Sequence, residues 1–346
     1  MKYNISERTH YEMMLEDFPY VKTIFEQLDR ELPPEYMWDD FMHTSVMQSY
    51  YMEGAKYDQA NAMTACQMIF HLYSYNRGMG RTYHVCEGIS EMLLNTKLDV
   101  DTSIVKAPFK EIQITIPPTG ILEIWNESTE FHPAWCLYVN FSEQEQGTKM
   151  LRVLMVGKPN QNSSFQYDDA LVYFRVPLLE TTVGKSIDEC LYNWSQDPMN
   201  KVFKIGRNEG VIKRAYQFVL NILLYLTSSE PDIVKWLNPE AASLRSRLDR
   251  LKSASKKRKV EKKLKGMTKI PIYMVGKSIN ISKEDIDSYR SIRGNRKHSI
   301  RYPVGGHWRM QWYGSKEKRY QKQKWIRPHF RGPELADIVR STGVLK

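Results

Sequence analysis

The chain predicts an α+β fold. A helical layer at the N-terminus lies on a mostly antiparallel sheet, and a basic helix and a C-terminal aromatic and basic β-ribbon follow. Three observations carry that prediction. Apolar residues recur at helical spacing through roughly the first hundred positions. From Glu111 the period changes to two, in short runs rich in Val, Tyr and Leu between polar turns. Charge then divides the chain: residues 1–238 hold 21 basic and 31 acidic side chains, and residues 239–346 hold 29 and 9.

In the first hundred residues, Tyr11, Met14, Leu15, Phe18, Val21, Ile24, Phe25 and Leu28 share one face and predict a helix that Leu32-Pro-Pro34 ends. Glu35 to Met52 and Tyr57 to Tyr75 predict two more, and His84 to Leu94 a fourth after the Gly78-Met-Gly80 break. Met13, Met14, Met42, Met47, Met52, Met63 and Met68 make this layer methionine-rich. Methionine fills irregular gaps in a core, and it also lines adaptable binding grooves.

Ile112 to Ile116 alternates as a strand does, Pro117-Pro-Thr-Gly120 turns, and Ile121 to Trp125 continues extended. Trp135 to Val139, Met150 to Gly157 and Ala170 to Leu178 are further strands, and the short turns between them favour antiparallel neighbours. Gly184 to Asp188 starts a short helix. Glu209 to Thr227 is a long one, with a wide apolar stripe at 211, 212, 215, 218, 219, 222, 223 and 226. Glu230-Pro-Asp232 reads as its stop, with Asp232 as a cap. Residues 1–238 thus form an acidic α+β domain.

Residues 239–346 form the basic part. Glu240 to Leu264 predicts one long helix, with Leu244, Leu248 and Leu251 on a stripe, then Lys256-Lys-Arg-Lys259 and Glu261-Lys-Lys-Leu-Lys265. Ile270 to Val275 is a short strand, and Lys283 to Ile292 and Glu334 to Arg340 are short helices. Between these helices lies the ribbon. Trp308, Met310 and Trp312 fall on one face, expected to be its core, while His307, Arg309, Gln311 and Tyr313 fall on the other. Gly314 to Lys318 makes the turn, and Tyr320 to Arg327 returns.

Composition excludes some classes. The N-terminus lacks the apolar region of a secretory signal, and the longest apolar run, Phe218 to Leu226, is about half a membrane span. No membrane partner is implied, and an intracellular protein is expected. Four cysteines stand far apart with no C-x-x-C pair, as free thiols of a reducing compartment would, and supply no zinc site. Neither Gly184-Lys-Ser186 nor Gly276-Lys-Ser278 is a P-loop, because Leu179 and Pro271 stand where the pattern needs a further glycine. No metal and no cofactor is implied.

A basic part of this strength calls for a polyanion, and RNA is the commonest inside a cell. Arg301, His307, Arg309, Tyr313, Lys324, Arg327 and Arg331 are the candidate nucleic-acid contacts, with cations for phosphates and an aromatic ring for a base. Two other readings stand beside this one. His298, His307 and His329 lie among lysines and arginines, where one imidazole could serve as base and another as acid in a metal-independent ribonuclease. Alternatively, the basic part packs on the acidic part in a structural or assembly protein of a phage.

Several blocks occur in the order found in one family: Leu72-Tyr-Ser-Tyr75 with Arg81, Trp135-Cys-Leu-Tyr-Val139, Gly184-Lys-Ser-Ile187, Leu224 to Ile233, Ile272-Tyr-Met-Val-Gly276, and Gly306-His-Trp308 with Trp312, Gly314 and Trp325. In these the chain resembles the large type V-A anti-CRISPR family of phages and plasmids. The resemblance implies a counter-defence protein of a bacterial host's cytoplasm. It would recognise the N-terminal segment of a CRISPR effector nuclease as it leaves the ribosome, and the effector's message would then be lost. Partners so implied are a target polypeptide, for which residues 1–238 are the candidate binding part, and RNA or ribosome. The chain departs from the family at Val304-Gly305, where relatives carry more arginine, and in a longer basic helix.

Overall fold

The computed structural model describes residues 5, 7–117, 122–126, 130–143, 149–157, 171–179, 181–196, 209–279, 302–304, 306–315, 318–327 and 329–331. The expected helices at 283–292 and 334–340 lie outside these residues, as do His298 and Arg301. Within them, helices and a mixed, mostly antiparallel sheet form the expected α+β architecture.

The helical layer comprises α1 (His10–Asp17), α2 (Tyr20–Glu31), α3 (Trp38–His43), α4 (Ser45–Ala55) and α5 (Gln59–Arg77). Two of the expected helices are split. Pro19 cannot donate a helical hydrogen bond, so Tyr11 to Leu28 becomes α1 and α2. Thr44 is extended and its hydroxyl accepts from Met47 N, so it caps α4 and separates α3. Met14, Met47 and Met68 are fully buried, whereas Met52 is exposed, so most of this methionine is packing.

The sheet has eight strands. Along its main path the order is β6 (Leu171–Leu178), β5 (Lys149–Gly157), β4 (Glu130–Glu143), β2 (Glu111–Thr115), β1 (Arg81–Val85), β8 (Ile272–Val275) and β7 (Ile233–Trp236), while β3 (Glu123–Asn126) pairs with β4. Two strands correct the sequence reading. The start of the expected fourth helix is β1, and only Glu87–Leu94 (α6) is helical. Arg-Thr-Tyr-His-Val holds only two apolar residues, yet it lies near the centre of the sheet, parallel to both β2 and β8.

The second correction concerns Asp232, which caps no helix. Its carbonyl accepts from Gly276 N at 2.8 Å, and its carboxylate accepts from Ser278 N at 2.7 Å and Ser278 Oγ at 2.6 Å. The segment after it is β7, antiparallel to β8. Gly276 takes φ +75°, and a Cβ there would sit 2.5 Å from Ile89 Cγ2.

Helices cover both faces. Helices α1 to α5 bury Cys136, Tyr138, Leu154 and Val156 of the sheet. The opposite face packs on α6, α7 (Val183–Gln196) and α8 (Glu209–Leu226), where Phe218, Val219, Ile222 and Leu223 meet Ile112, Ile114, Leu137 and Val153. The stripe read along α8 is therefore core, and α7 runs longer than the short helix expected. The expected long basic helix is a hairpin, α9 (Pro239–Arg250) and α10 (Ala254–Lys265). Leu251 is extended, and Ala241, Val260 and Leu264 pack between the two helices. A straight helix would leave these apolar residues in water.

A polar seam runs through the core between the sheet and α1 and α5. His71 Nδ1 meets Glu111 Oε1 at 2.9 Å, both side chains are fully buried, and Asn140 donates to Glu111 Oε2 at 2.9 Å. Burial pushes the Glu111 carboxyl up, against the pull of His71 and Asn140. Thr82 donates to Gln113, Gln113 donates to Tyr138 Oη, and Tyr138 Oη meets His10 Nδ1 at 2.8 Å. Burial drives the His10 imidazole down to about 3 and His84 to about 4. All four cysteines are free; Cys66 and Cys136 are buried, Cys86 and Cys190 half-buried.

Two outcomes follow. Gly276→Ala should destabilise the fold by about 2–4 kcal/mol, through left-handed strain and the Ile89 clash, and an unshifted urea midpoint would contradict that. The histidines set a pH dependence. Unfolded histidine binds protons below about pH 6.5 and these buried rings do not, so stability should fall as pH drops from about 6.5 toward 4. His84→Gln should flatten part of that fall in urea midpoints measured at several pH values.

Candidate functional site

The ribbon is built as the alternation predicts. β10 (His307–Tyr313) pairs antiparallel with β11 (Tyr320–Ile326), with Trp308 opposite Trp325, Arg309 opposite Lys324, Gln311 opposite Lys322 and Tyr313 opposite Tyr320. Gly314 closes the turn at φ +93°. A short pair, β9 (Tyr302–Val304) with β12 (His329–Arg331), flanks it.

One face docks on α6 and α8. Trp308 Nε1 donates to Asn221 Oδ1 at 2.8 Å, and Asn221 Nδ2 donates to the carbonyls of Leu93 and Thr96 at 2.8 and 3.0 Å. Trp325 Nε1 donates to Thr96 Oγ1 at 3.3 Å, and its ring meets Tyr225 edge-on at 5.3 Å. The expected ribbon core is thus only half right. Trp308 is buried, but Met310 and Trp312 are 41% and 56% exposed, because only the base of the ribbon lies over the helices.

The other face carries Arg309, Tyr313 and Lys324 of the candidate contacts. Arg309 donates to Gln311 Oε1, and Lys324 lies 3.8 Å from Glu230. Tyr313 and Tyr320 stack at 6.1 Å with Lys322 Nζ over both rings, at 5.8 and 5.3 Å. Arg327 is exposed. Arg331 lies in β12. The face therefore joins half-exposed tyrosines to cations, the chemistry of stacking beside phosphates. His307 bridges to Lys97 at the base of the ribbon, and His329 Nδ1 meets the Arg327 carbonyl at 3.0 Å. The histidine–carboxylate pair His71–Glu111 is sealed in the core, out of reach of any substrate.

A second feature escapes sequence reading. A cleft of about 250 Å³ opens where α5 ends and β1 begins, lined by Tyr11, Tyr75, Asn76, Met79, Gly80, Arg81, Ile270, Pro271 and Tyr273. Arg81 is its chemical centre. Its guanidinium lies over the Phe109 ring at 4.9 Å and the Tyr273 ring at 5.0 Å, and donates to Tyr273 Oη. Arg81 Nε is buried with no hydrogen-bond partner among the described residues. Tyr11 Oη donates to Asn76 Oδ1 at 2.7 Å, and burial with the nearby Glu12 holds the Tyr11 phenol up at about 12. At the rim Met79 is 83% exposed with φ 46°, a left-handed conformation unusual outside glycine. Only spatial pairing of β1 with β8 assembles these residues. The available signal was that Tyr75, Arg81 and Tyr273 each belong to a block carrying the family resemblance.

Among the described residues no group of three or more His, Cys, Asp or Glu could hold a metal ion, and no helix is long and apolar enough to cross a membrane. Fold and surfaces define an α+β protein with an aromatic cleft and a cationic, tyrosine-bearing ribbon. A solved structure entitled "Crystal structure of AcrVA2" is similar in fold: TM-score 0.52, 17% identity, 92% of this chain and 97% of that one covered. No curated protein matches the chain. The model of the AcrVA2-like family, Anti-CRISPR type V subtype A2, matches residues 83–330, and the chain belongs to this family. Its role is therefore anti-CRISPR counter-defence.

The docked tryptophan gives a stability test. Trp308→Ala should cost about 3–5 kcal/mol and raise amide exchange in β10 and β11 above that of β4 and β5. Equal protection of the two sets in the variant would show that the ribbon does not depend on this anchor.

Proposed function

We propose that the protein lowers expression of a target polypeptide, gripping that polypeptide in the Arg81 cleft while its basic part contacts RNA or the ribosome. The reading places this action in the cytoplasm of a bacterial host, with the N-terminal segment of a type V CRISPR effector nuclease as the target. One observation carries it: Arg81 presents a buried, unpartnered Nε and a guanidinium held by two rings in a cleft with tyrosine walls. A peptide carbonyl or carboxylate would pair with the guanidinium where it lines the cleft, and the tyrosines and Met79 would take an apolar side chain. The cationic ribbon face supports the second contact.

The test is in vitro translation of effector message with purified protein present. Wild type should reduce effector message and co-purify with the emerging N-terminal segment. Arg81→Ala should lose both activities at least tenfold, while Arg309→Glu with Arg327→Glu should spare peptide retention and lose retention of single-stranded RNA. Message loss undiminished in all of these variants would overturn the reading. Cleavage of naked RNA by the protein in the presence of chelator would replace it with the ribonuclease alternative, in which His307→Ala is inactive.

A further inference from the structure

The α9–α10 hairpin is inserted between β7 and β8 and holds a small core of its own. It is tied to the body through Lys269, whose N–H and ammonium donate to Glu12 and Glu16 of α1. Val260 and Leu264 fix the inward face of α10. With about 3.6 residues per turn, Arg258, Lys262 and Lys265 fall on the opposite face one turn apart, with Lys259 beside them. All four are exposed. Lys263 is paired, 2.5 Å from Glu240 of α9. Among the described residues none of the other four has a carboxylate partner.

Such a row opposes the folding of its own helix. Arg258 and Lys262 repel as like charges at i and i+4, which Glu261, spaced favourably to Arg258 and Lys265, offsets only in part; the first turn of α10 has no acid to complement the helix dipole, and Lys256 and Lys257 lie near it instead. An external anion relieves both penalties. The apolar stripe of α10 is already used against α9, and the outward row contains no aromatic or aliphatic side chain to enter a bilayer. The same lack of rings distinguishes this face from the ribbon, whose tyrosines can stack on unpaired bases. Cations spread over about 10 Å of rigid helix, with nothing to read a base, suit a regular phosphate backbone.

We propose that the outward face of α10 binds the phosphate backbone of double-helical RNA. The inference rests on the reading that the basic part contacts RNA, and it divides the labour: the hairpin holds duplex and the ribbon holds unpaired bases.

The experiment uses the full chain with a blunt RNA duplex of about 20 base pairs, longer than the roughly 16 that double-strand-binding modules span, and with one of its strands alone. Wild type, Arg258→Glu/Lys262→Glu/Lys265→Glu and Arg309→Glu/Arg327→Glu are titrated over a range of salt. The hairpin variant should lose duplex affinity at least tenfold and reduce the salt slope by about 2–3, near 0.9 per phosphate released. It should retain the single strand, while the ribbon variant does the reverse. The triple alanine variant, which favours helix, should show a weaker loss of the same kind and excludes unfolding as the cause. Duplex affinity within twofold of wild type overturns the assignment to the hairpin, and equal loss on both RNAs overturns the preference for duplex. A wild-type protein that binds neither RNA overturns the parent reading as well, which separates the two failures.

Discussion

The parallel pairing of β1 with β8 is the constraint on which the rest of the structure depends. It places Thr82 beside Ile272 and Val85 beside Val275. The loop so closed is long, but closure entropy grows only slowly with length, so the cost is modest beside the apolar surface the pairing buries. Through this contact the sheet gains its far edge, the cleft gains Tyr273 as a wall, and the chain leaving the hairpin is brought against α1. Asp232 locks the arrangement by receiving three donors from the turn that follows β8.

Polar groups specify what burial alone would leave loose. The Thr82, Gln113, Tyr138 and His10 chain links β1, β2, β4 and α1, and a slip of one residue in any strand would orphan it. Asn221 does the same on the opposite face, joining two carbonyls at the C-terminal end of α6, those of Leu93 and Thr96, to the indole of the ribbon. Glu12 has two tasks. It completes the capping box of α1 with Thr9, and it accepts from Lys269 at the root of the hairpin.

Much of this was legible in the sequence because period reports burial. The antiparallel strands from Glu111 onward, the stripe of α8 and the two faces of the ribbon all follow from it. The failures share a cause. Arg81–Val85 and Ile233–Trp236 are strands because partners distant in the sequence pair with them. The break at Leu251 was hidden because both helices of the hairpin are polar outside and the leucine stripe runs through to the bend. Of the site, the cations and tyrosines of the ribbon could be named in advance. The Arg81 cleft could not, since its walls come from α1, α5, β1 and the approach to β8.

The position of the cationic hairpin bears on how such a protein diversifies. β7 and β8 are antiparallel neighbours, so a tight turn would suffice to connect them, and everything between Asn238 and Ile270 is an excursion from the edge of the sheet. Its contacts with the body are few and concentrated near Lys269. An appendage of this kind can lengthen, shorten or exchange its charges across a lineage without repacking either hydrophobic core.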